Sequence, residues 1–407
     1  MRKIVFLFAV LSVFFLWGVV GCNALNIKQS DYEVNKPWME ETLRKSVQQY
    51  RTMMENLPDG VQPNSINKNG ELKTVKPTSW VAGFYPGTLF YLYRATGDKE
   101  IFEEGLKRVK LMEDQQYLTK HHDVGFMMYC SYGNLLKIDP QKEYEDILIN
   151  SAYSLSKRYN DKVKSIRSWG EIDDEDNFVV IIDNMMNLEL LLWAAKVTGD
   201  KQLYEIAVNH ANTTMNNHFR PDNSSFHVVE YNPATGEILK KRTAQGFADE
   251  SAWARGQAWG LYGFTMMYRE TNDEKYLNMA DNIASFIINH PNLPEDKVPY
   301  WDFNDPKIPD TYRDASAGAI IASSLIELSK YNRKDSDVYL QTALQILKTL
   351  SSDEFSSEVG ENKGFLLTHS VANLNRNADV DVPLPYADYY YVEALHRYLN
   401  YFNVEGF

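Results

Sequence analysis

The sequence predicts an all-α protein, an (α/α)6 barrel of six inner helices wrapped by six outer ones. Three observations predict it. Stretches apolar on nearly every side alternate with charged, amphipathic ones along the chain. The same punctuation recurs between them, as Thr96-Gly97-Asp98, Thr198-Gly199-Asp200 and Thr271-Asn272-Asp273. Strand signals are few. A helix apolar all round belongs inside a core, and a closed ring covers every face of six such helices, where an open array leaves one face bare.

The elements follow in order. A polar segment from Cys22 to Lys36 reads as a tether, and Pro37 to Met54 as the first amphipathic helix. Asn56 to Thr78 is rich in Pro, Gly, Asn and Lys without a period and reads as a loop. Trp80–Ala95 is the first apolar helix, followed by charged Lys99–Asp114. Asp123–Leu136 is the second, followed by Gln141–Arg158. Asp183–Val197 is the third, followed by Lys201–Asn217. Ser224–Leu239 alternates around Asn232-Pro233-Ala234-Thr235-Gly236 and reads as a hairpin. Trp253–Arg269 is the fourth apolar helix, followed by Glu274–Asn289. Ala315–Ser329 is the fifth, followed by Asp335–Leu350, and Tyr386–Leu399 closes the ring. At each Thr-Gly-Asp or Thr-Asn-Asp stop, Gly or Asn takes the left-handed C-cap conformation and the Asp caps the next helix. The single domain spans residues 37–407.

The N-terminus carries Arg2-Lys3, an apolar run from Ile4 to Val20, then Gly21-Cys22. These are the parts of a signal peptide over residues 1–21. The ending Val19-Val20-Gly21-Cys22 resembles a bacterial lipoprotein signal. That implies lipid attachment at Cys22, an exported protein in the periplasm or at the outer membrane, and membrane contact only through the lipid. Cys130 is the one other cysteine, so core burial and not a disulfide framework must stabilise the fold. The net charge of −13 and the lack of a basic patch exclude nucleic acid as a partner.

In an alternating ring all inner helices start at one end, so residues at their N-termini face one mouth. The sequence puts Trp80, His122-Asp123, Asp183-Asn184, Trp253 with Arg255, Gln257 and Trp259, Arg313-Asp314, and Tyr386 with Asp388 there. Trp169, His227 and Gln245 come from the preceding loops. Aromatic faces stack on sugars and polar groups fix hydroxyls, so this concavity suits a saccharide. Asp123 and Asp183 open successive inner helices. Each alone is explained as an N-cap; together in one mouth they are the carboxylate pair that glycoside cleavage uses. One of the pair must hold a proton near neutral pH, which burial and a neighbouring carboxylate favour. Adjacent His121 and His122 diverge on a helix, and no HExxH, GxSxG, P-loop or GxGxxG spacing appears, so neither metal nor cofactor is expected.

The stretches Trp80-Val81-Ala82-Gly83-Phe84, His122-Asp123-Val124-Gly125-Phe126, Ile182-Asp183-Asn184-Met185-Met186-Asn187 and Gln245-Gly246-Phe247 resemble glycoside hydrolase family 88, the unsaturated glucuronyl hydrolases. So, most specifically, does Ser251-Ala252-Trp253-Ala254-Arg255-Gly256-Gln257-Ala258-Trp259-Gly260. The resemblance implies the same barrel. It also implies removal of a 4,5-unsaturated uronic acid from the non-reducing end of lyase-generated glycosaminoglycan-type oligosaccharides, by hydration of its double bond. It makes Asp183 the acid/base and Asp123 its ionised partner. Trp80, Trp169 and Trp259 become stacking residues, and His227, Gln245 and Arg255 polar contacts, with Arg255 for the substrate carboxylate. The related unsaturated rhamnogalacturonyl hydrolases, acting on pectin fragments, and a non-catalytic glycan-binding lipoprotein are the alternatives. Thr368–Asn373 falls where the family meets the next sugar.

Overall fold

The computed structural model describes residues 17–331 and 334–402, with side chains from Tyr32 onward. The expected signal run through residue 16 and the Cys22 side chain lie outside what is described. Among the described residues, no helix is long and apolar enough to cross a membrane.

Among the described residues, twelve helices form the barrel. The outer ones are α1 (Trp17–Asn56), α3 (Lys99–Lys110), α5 (Lys142–Ser156), α7 (Lys201–Asn217), α9 (Glu274–Asn289) and α11 (Ser336–Leu350). The inner ones are α2 (Phe84–Thr96), α4, α6 (Leu188–Thr198), α8 (Ala254–Thr271), α10 (Ala315–Tyr331) and α12 (Pro385–Leu399). Here α4 is Val124–Met128 and Asn134–Ile138 joined through a π segment, Tyr129–Gly133. The stops behave as expected. Gly97, Gly199 and Asn272 are left-handed C-caps, and Asp98, Asp200 and Asp273 accept from backbone N–H groups of the next helix.

Four details differ from the sequence reading. The tether expected over 22–36 is helical and continuous with α1. Its end is held by the chain terminus: Tyr32 Oη donates to the Leu399 carbonyl at 2.9 Å and its ring meets Tyr398 and Phe402. Packing of this kind overrides the break that Pro37 would otherwise make. The loop expected over 56–78 contains a hairpin, β1 (Gln62–Ile66) with β2 (Leu72–Val75). Its polar side chains Asn64, Ser65 and Lys73 all converge on Asp379, a contact no local pattern announces. The second inner helix is not continuous, because α4 lies hard against α2; a Cβ on Gly87 would sit 2.2 Å from the Cys130 carbonyl oxygen, inside the π segment. The third inner helix opens as a 3-10 turn, Ile182–Asn187, before α6. There Asn184 donates to the Ile166 carbonyl and Asn187 accepts from Phe126 N–H, so long-range partners shape the turn.

Strand β3 (Tyr159–Asn160) pairs antiparallel with β4 (Ser165–Ile166), and further short sheets decorate the mouth where the inner helices begin. Strands β5 (Phe178–Ile181), β6 (Val228–Tyr231) and β7 (Ile238–Arg242) form an antiparallel sheet in that order, and the last two are the expected hairpin. Strands β8 (Ser370–Asn373) and β9 (Ala378–Val382) form a second hairpin leaning over the same mouth. One continuous apolar core fills the space between the two helical rings.

Candidate active site

A cavity of about 560 Å³ opens at the N-terminal mouth. That volume suits a disaccharide-sized ligand. Its wall includes Trp80, Asp123, Trp169, Asp183, Gln245 and Arg255, so six of the eight site residues read from the sequence meet there. His227 and Trp259 lie behind the wall. Neither Asp123 nor Asp183 caps a helix with its side chain, so the bland reading fails for both.

Each side chain is placed by a local cause. Trp169 is drawn in by a bridge to Val179 and by Ser168 N–H donating to the Val179 carbonyl. Trp80 starts the 3-10 turn before α2 and packs on Phe84, Phe126 and Tyr386. Asp183 follows β5, whose pairing with β6 sets His227 beside it.

Asp183 is the central group. Burial pushes its carboxyl up to about 7, against the pull of Arg255 and of the Trp259 indole, and the charge on Asp123 pushes the same way as burial. Its Oδ2 is buried without a hydrogen-bond partner, 3.7 Å from His227 Nε2. His227 Nδ1 accepts from the N–H groups of Ala244 and Gln245 at 3.1 and 3.2 Å. The ring proton is therefore on Nε2, facing Asp183. Burial holds this imidazole well below the ordinary histidine range, so it is neutral at pH 7.

Asp123 is the opposite case. Burial alone would raise its carboxyl, but His122 and His121 outweigh that and keep it below the usual carboxylate value. His121 Nδ1 is 3.2 Å from one carboxylate oxygen and His122 Nε2 is 3.3 Å from the other. Burial also lowers His122, so at neutral pH it assists as a polar neighbour more than as a full charge. The two carboxyls of one cavity are thus split, one poised to give a proton and one ionised.

Two expectations are corrected. Trp259 offers no stacking face: it is fully buried, edge-on to Phe126 and Tyr390. It sits more than a turn into α8 and so points to the barrel axis, with its unpartnered Nε1 bearing on Asp183 from below. Arg255 is only 2% exposed. Its terminal nitrogens donate to Asp314 and to the carbonyls of Val371 and Ala372. It ties the β8–β9 hairpin to the barrel and sets the potential at Asp183, with few donors left for a ligand.

The sequence reading missed Arg376, which lines the cavity beside Asn373 from the β8–β9 hairpin, and it placed Tyr386 at the mouth without giving it a role. Tyr386 Oη is buried without a partner. The polar run Asn373-Leu374-Asn375-Arg376-Asn377 was a turn signal, but nothing local aims it at the mouth.

With this geometry in hand, comparison with known proteins is specific. The model of Glycosyl Hydrolase Family 88 matches residues 45–401. An unsaturated glucuronyl hydrolase of Formosa agariphila is 45% identical over 406 residues, covering 98% of this chain and 99% of that protein. An unsaturated chondroitin disaccharide hydrolase of Streptococcus agalactiae is 32% identical, covering 88% and 91%. A crystal structure of an unsaturated glucuronyl hydrolase specific for heparin superposes with a TM-score of 0.87 at 46% identity, covering 91% of this chain and 99% of that one.

Proposed function

The chain belongs to glycoside hydrolase family 88, so it is a glycosidase, and we infer that it strips the 4,5-unsaturated uronic acid from lyase-generated glycosaminoglycan oligosaccharides. The observation that carries the mechanism is the split pair: Asp183 raised to about 7 and Asp123 held down, in one cavity.

The unsaturated ring is an enol ether, and its C4 is the basic carbon. Protonated Asp183 delivers a proton to C4, and positive charge develops at C5 and the ring oxygen. Ionised Asp123 stabilises that charge and holds a ring hydroxyl. Water then adds at C5 and returns its proton to Asp183. The resulting hemiketal opens to a C5 ketone, which leaves C1 as a hemiacetal. That hemiacetal collapses to an aldehyde and frees the remaining saccharide as an alcohol. One water is consumed, and no nucleophile attacks the anomeric carbon. One group serves as acid and then base, which a pKa near 7 permits.

The other residues support this chemistry. His227, with its proton on Nε2, donates toward the Asp183 carboxylate formed after the first step. Trp80 and Trp169 sandwich the sugar, and Gln245 and Tyr386 contact its polar edge. Six inner-helix N-termini converge on the mouth, each carrying partial positive charge, which favours a uronate even in a chain of net charge −13. We also propose that the protein is exported and acylated at Cys22.

The test is a panel of lyase-cut chondroitin, hyaluronan and heparin disaccharides, with pectin fragments as contrast, followed by the ultraviolet absorbance of the conjugated uronate. Bleaching of a glycosaminoglycan product is expected. Bleaching of pectin fragments alone, or of nothing, would overturn the assignment.

A further inference from the structure

A second, open cavity of about 760 Å³ adjoins the first on the same face. Two stretches divide them. Along 244–247, Ala244 and Gln245 face the first cavity and Phe247 the second. Along 372–376, Ala372, Asn373 and Arg376 face the first, and Leu374 and Asn375 the second. Asn375 fastens the two stretches by donating to the Gly246 carbonyl at 2.8 Å.

This second groove has the composition of a saccharide platform. Phe247 and Tyr312 are 45% and 42% exposed, unusual for large rings on a protein that buries most of its aromatics. Lys307 and Thr311 line the groove with them, beside the carboxylates of Asp305 and Asp310, and the Lys307 charge acts on Asp305. The walls are fixed before any ligand arrives. Asp305 accepts from Trp301 Nε1, Thr311 Oγ1 and Lys307 N–H at 2.7, 2.5 and 2.9 Å. Asp302 accepts from Phe247 N–H and Ser251 Oγ at 2.8 and 2.7 Å. A groove that holds two rings outward on an anchored frame avoids an ordering cost on binding.

We propose that this groove is a distal subsite that holds the reducing-end part of longer oligosaccharides, passing over the Asn375 wall from the catalytic cavity. Phe247 and Tyr312 stack on sugar faces, and Lys307 meets a carboxylate or sulfate of the same chain. The inference rests on the reaction proposed at the neighbouring site. It predicts that the enzyme favours a hexasaccharide over a disaccharide, because only the longer chain reaches the groove.

The test compares unsaturated chondroitin or heparin disaccharide and hexasaccharide, whichever the enzyme turns over. The Phe247→Ala/Tyr312→Ala double variant should lose about tenfold in kcat/KM on the hexasaccharide, one aromatic contact or more. On the disaccharide it should match the parent, which also reports that it folds. Equal behaviour of parent and double variant on the hexasaccharide would overturn the subsite. Calorimetry on the Asp183→Asn protein separates the two ideas: tighter hexasaccharide than disaccharide binding, abolished by the double variant, supports the groove even where no bond is cleaved. Equal affinities would sink it.

Discussion

The two mouths of the barrel carry similar residue types to opposite ends. The substrate mouth collects inner-helix N-termini and leaves buried polar atoms unsatisfied: Asp183 Oδ2, Trp259 Nε1, Tyr386 Oη and His227 Nε2. The far mouth also encloses a cavity, of about 360 Å³, rich in acids, cations and tyrosines. There the acids have their answers. Arg269 pairs with Glu189, Glu270 and Glu327, and Arg397 with Glu327. Glu393 accepts from Tyr91, Tyr262 and Ser323. A basic residue sits in the last turn of every inner helix: Arg94, Lys137, Lys196, Arg269, Lys330 and Arg397. Those cations offset six converging carbonyl ends. The lesson is that a buried charge marks chemistry only when its partners are missing; a satisfied network of the same residues marks stability.

Mutations break or sharpen that contrast. Asp183→Asn should lower turnover by about 10³-fold or more while disaccharide binding persists; retained turnover would remove Asp183 from the mechanism. The same variant sharpens the contrast through stability. The folded protein holds the Asp183 proton up to about pH 7, whereas the unfolded chain releases it near 3.8, so stability falls as pH rises through that window. Above it, Asp183→Asn should be more stable than the parent by on the order of 2 kcal/mol in denaturant melts. The matching pH–rate profile should show kcat declining above about 7 as the acid is lost.

At the far mouth the signs reverse. Arg269→Met strands Glu189, leaves Glu327 to Arg397 alone, and should cost about 3–5 kcal/mol, read as a lower denaturant midpoint, with kcat of the folded fraction kept within about twofold. A large kcat loss there would show that the mouths are coupled. Gly125→Ala tests the link between them. Its Cβ would meet Asn187 Cα at 2.5 Å, on the turn that carries Asp183. About 1–3 kcal/mol of stability and a fall in kcat are expected together. The smallest effect is Trp169→Ala, for which KM should rise about tenfold with the fold intact, since the ring is half-buried at the cavity wall.

Much of this was legible in the chain. Apolar stretches, three of them closed by Gly-Asp or Asn-Asp stops, marked all six inner helices, because a helix apolar all round has one place to go. The up-down alternation then put Trp80, Asp123, Asp183 and Arg255 at one end. The failures share a cause. The 3-10 opening at Ile182, the π segment at Tyr129 and the helical course of 22–36 each depend on contacts far along the chain. Trp259 was given a stacking face because its position along the helix was readable and its direction around it was not.

By itself, then, the sequence determined the class of fold, the end of the barrel where chemistry sits, and the residue types brought there, since those follow from periodicity, capping and chain direction. The resemblance named Asp183 as the acid, but only the tertiary structure decided why it, and not Asp123, keeps its proton. That choice is set by desolvation and by the charges and ring nitrogens within a few ångströms, and those neighbours come from four separate parts of the chain.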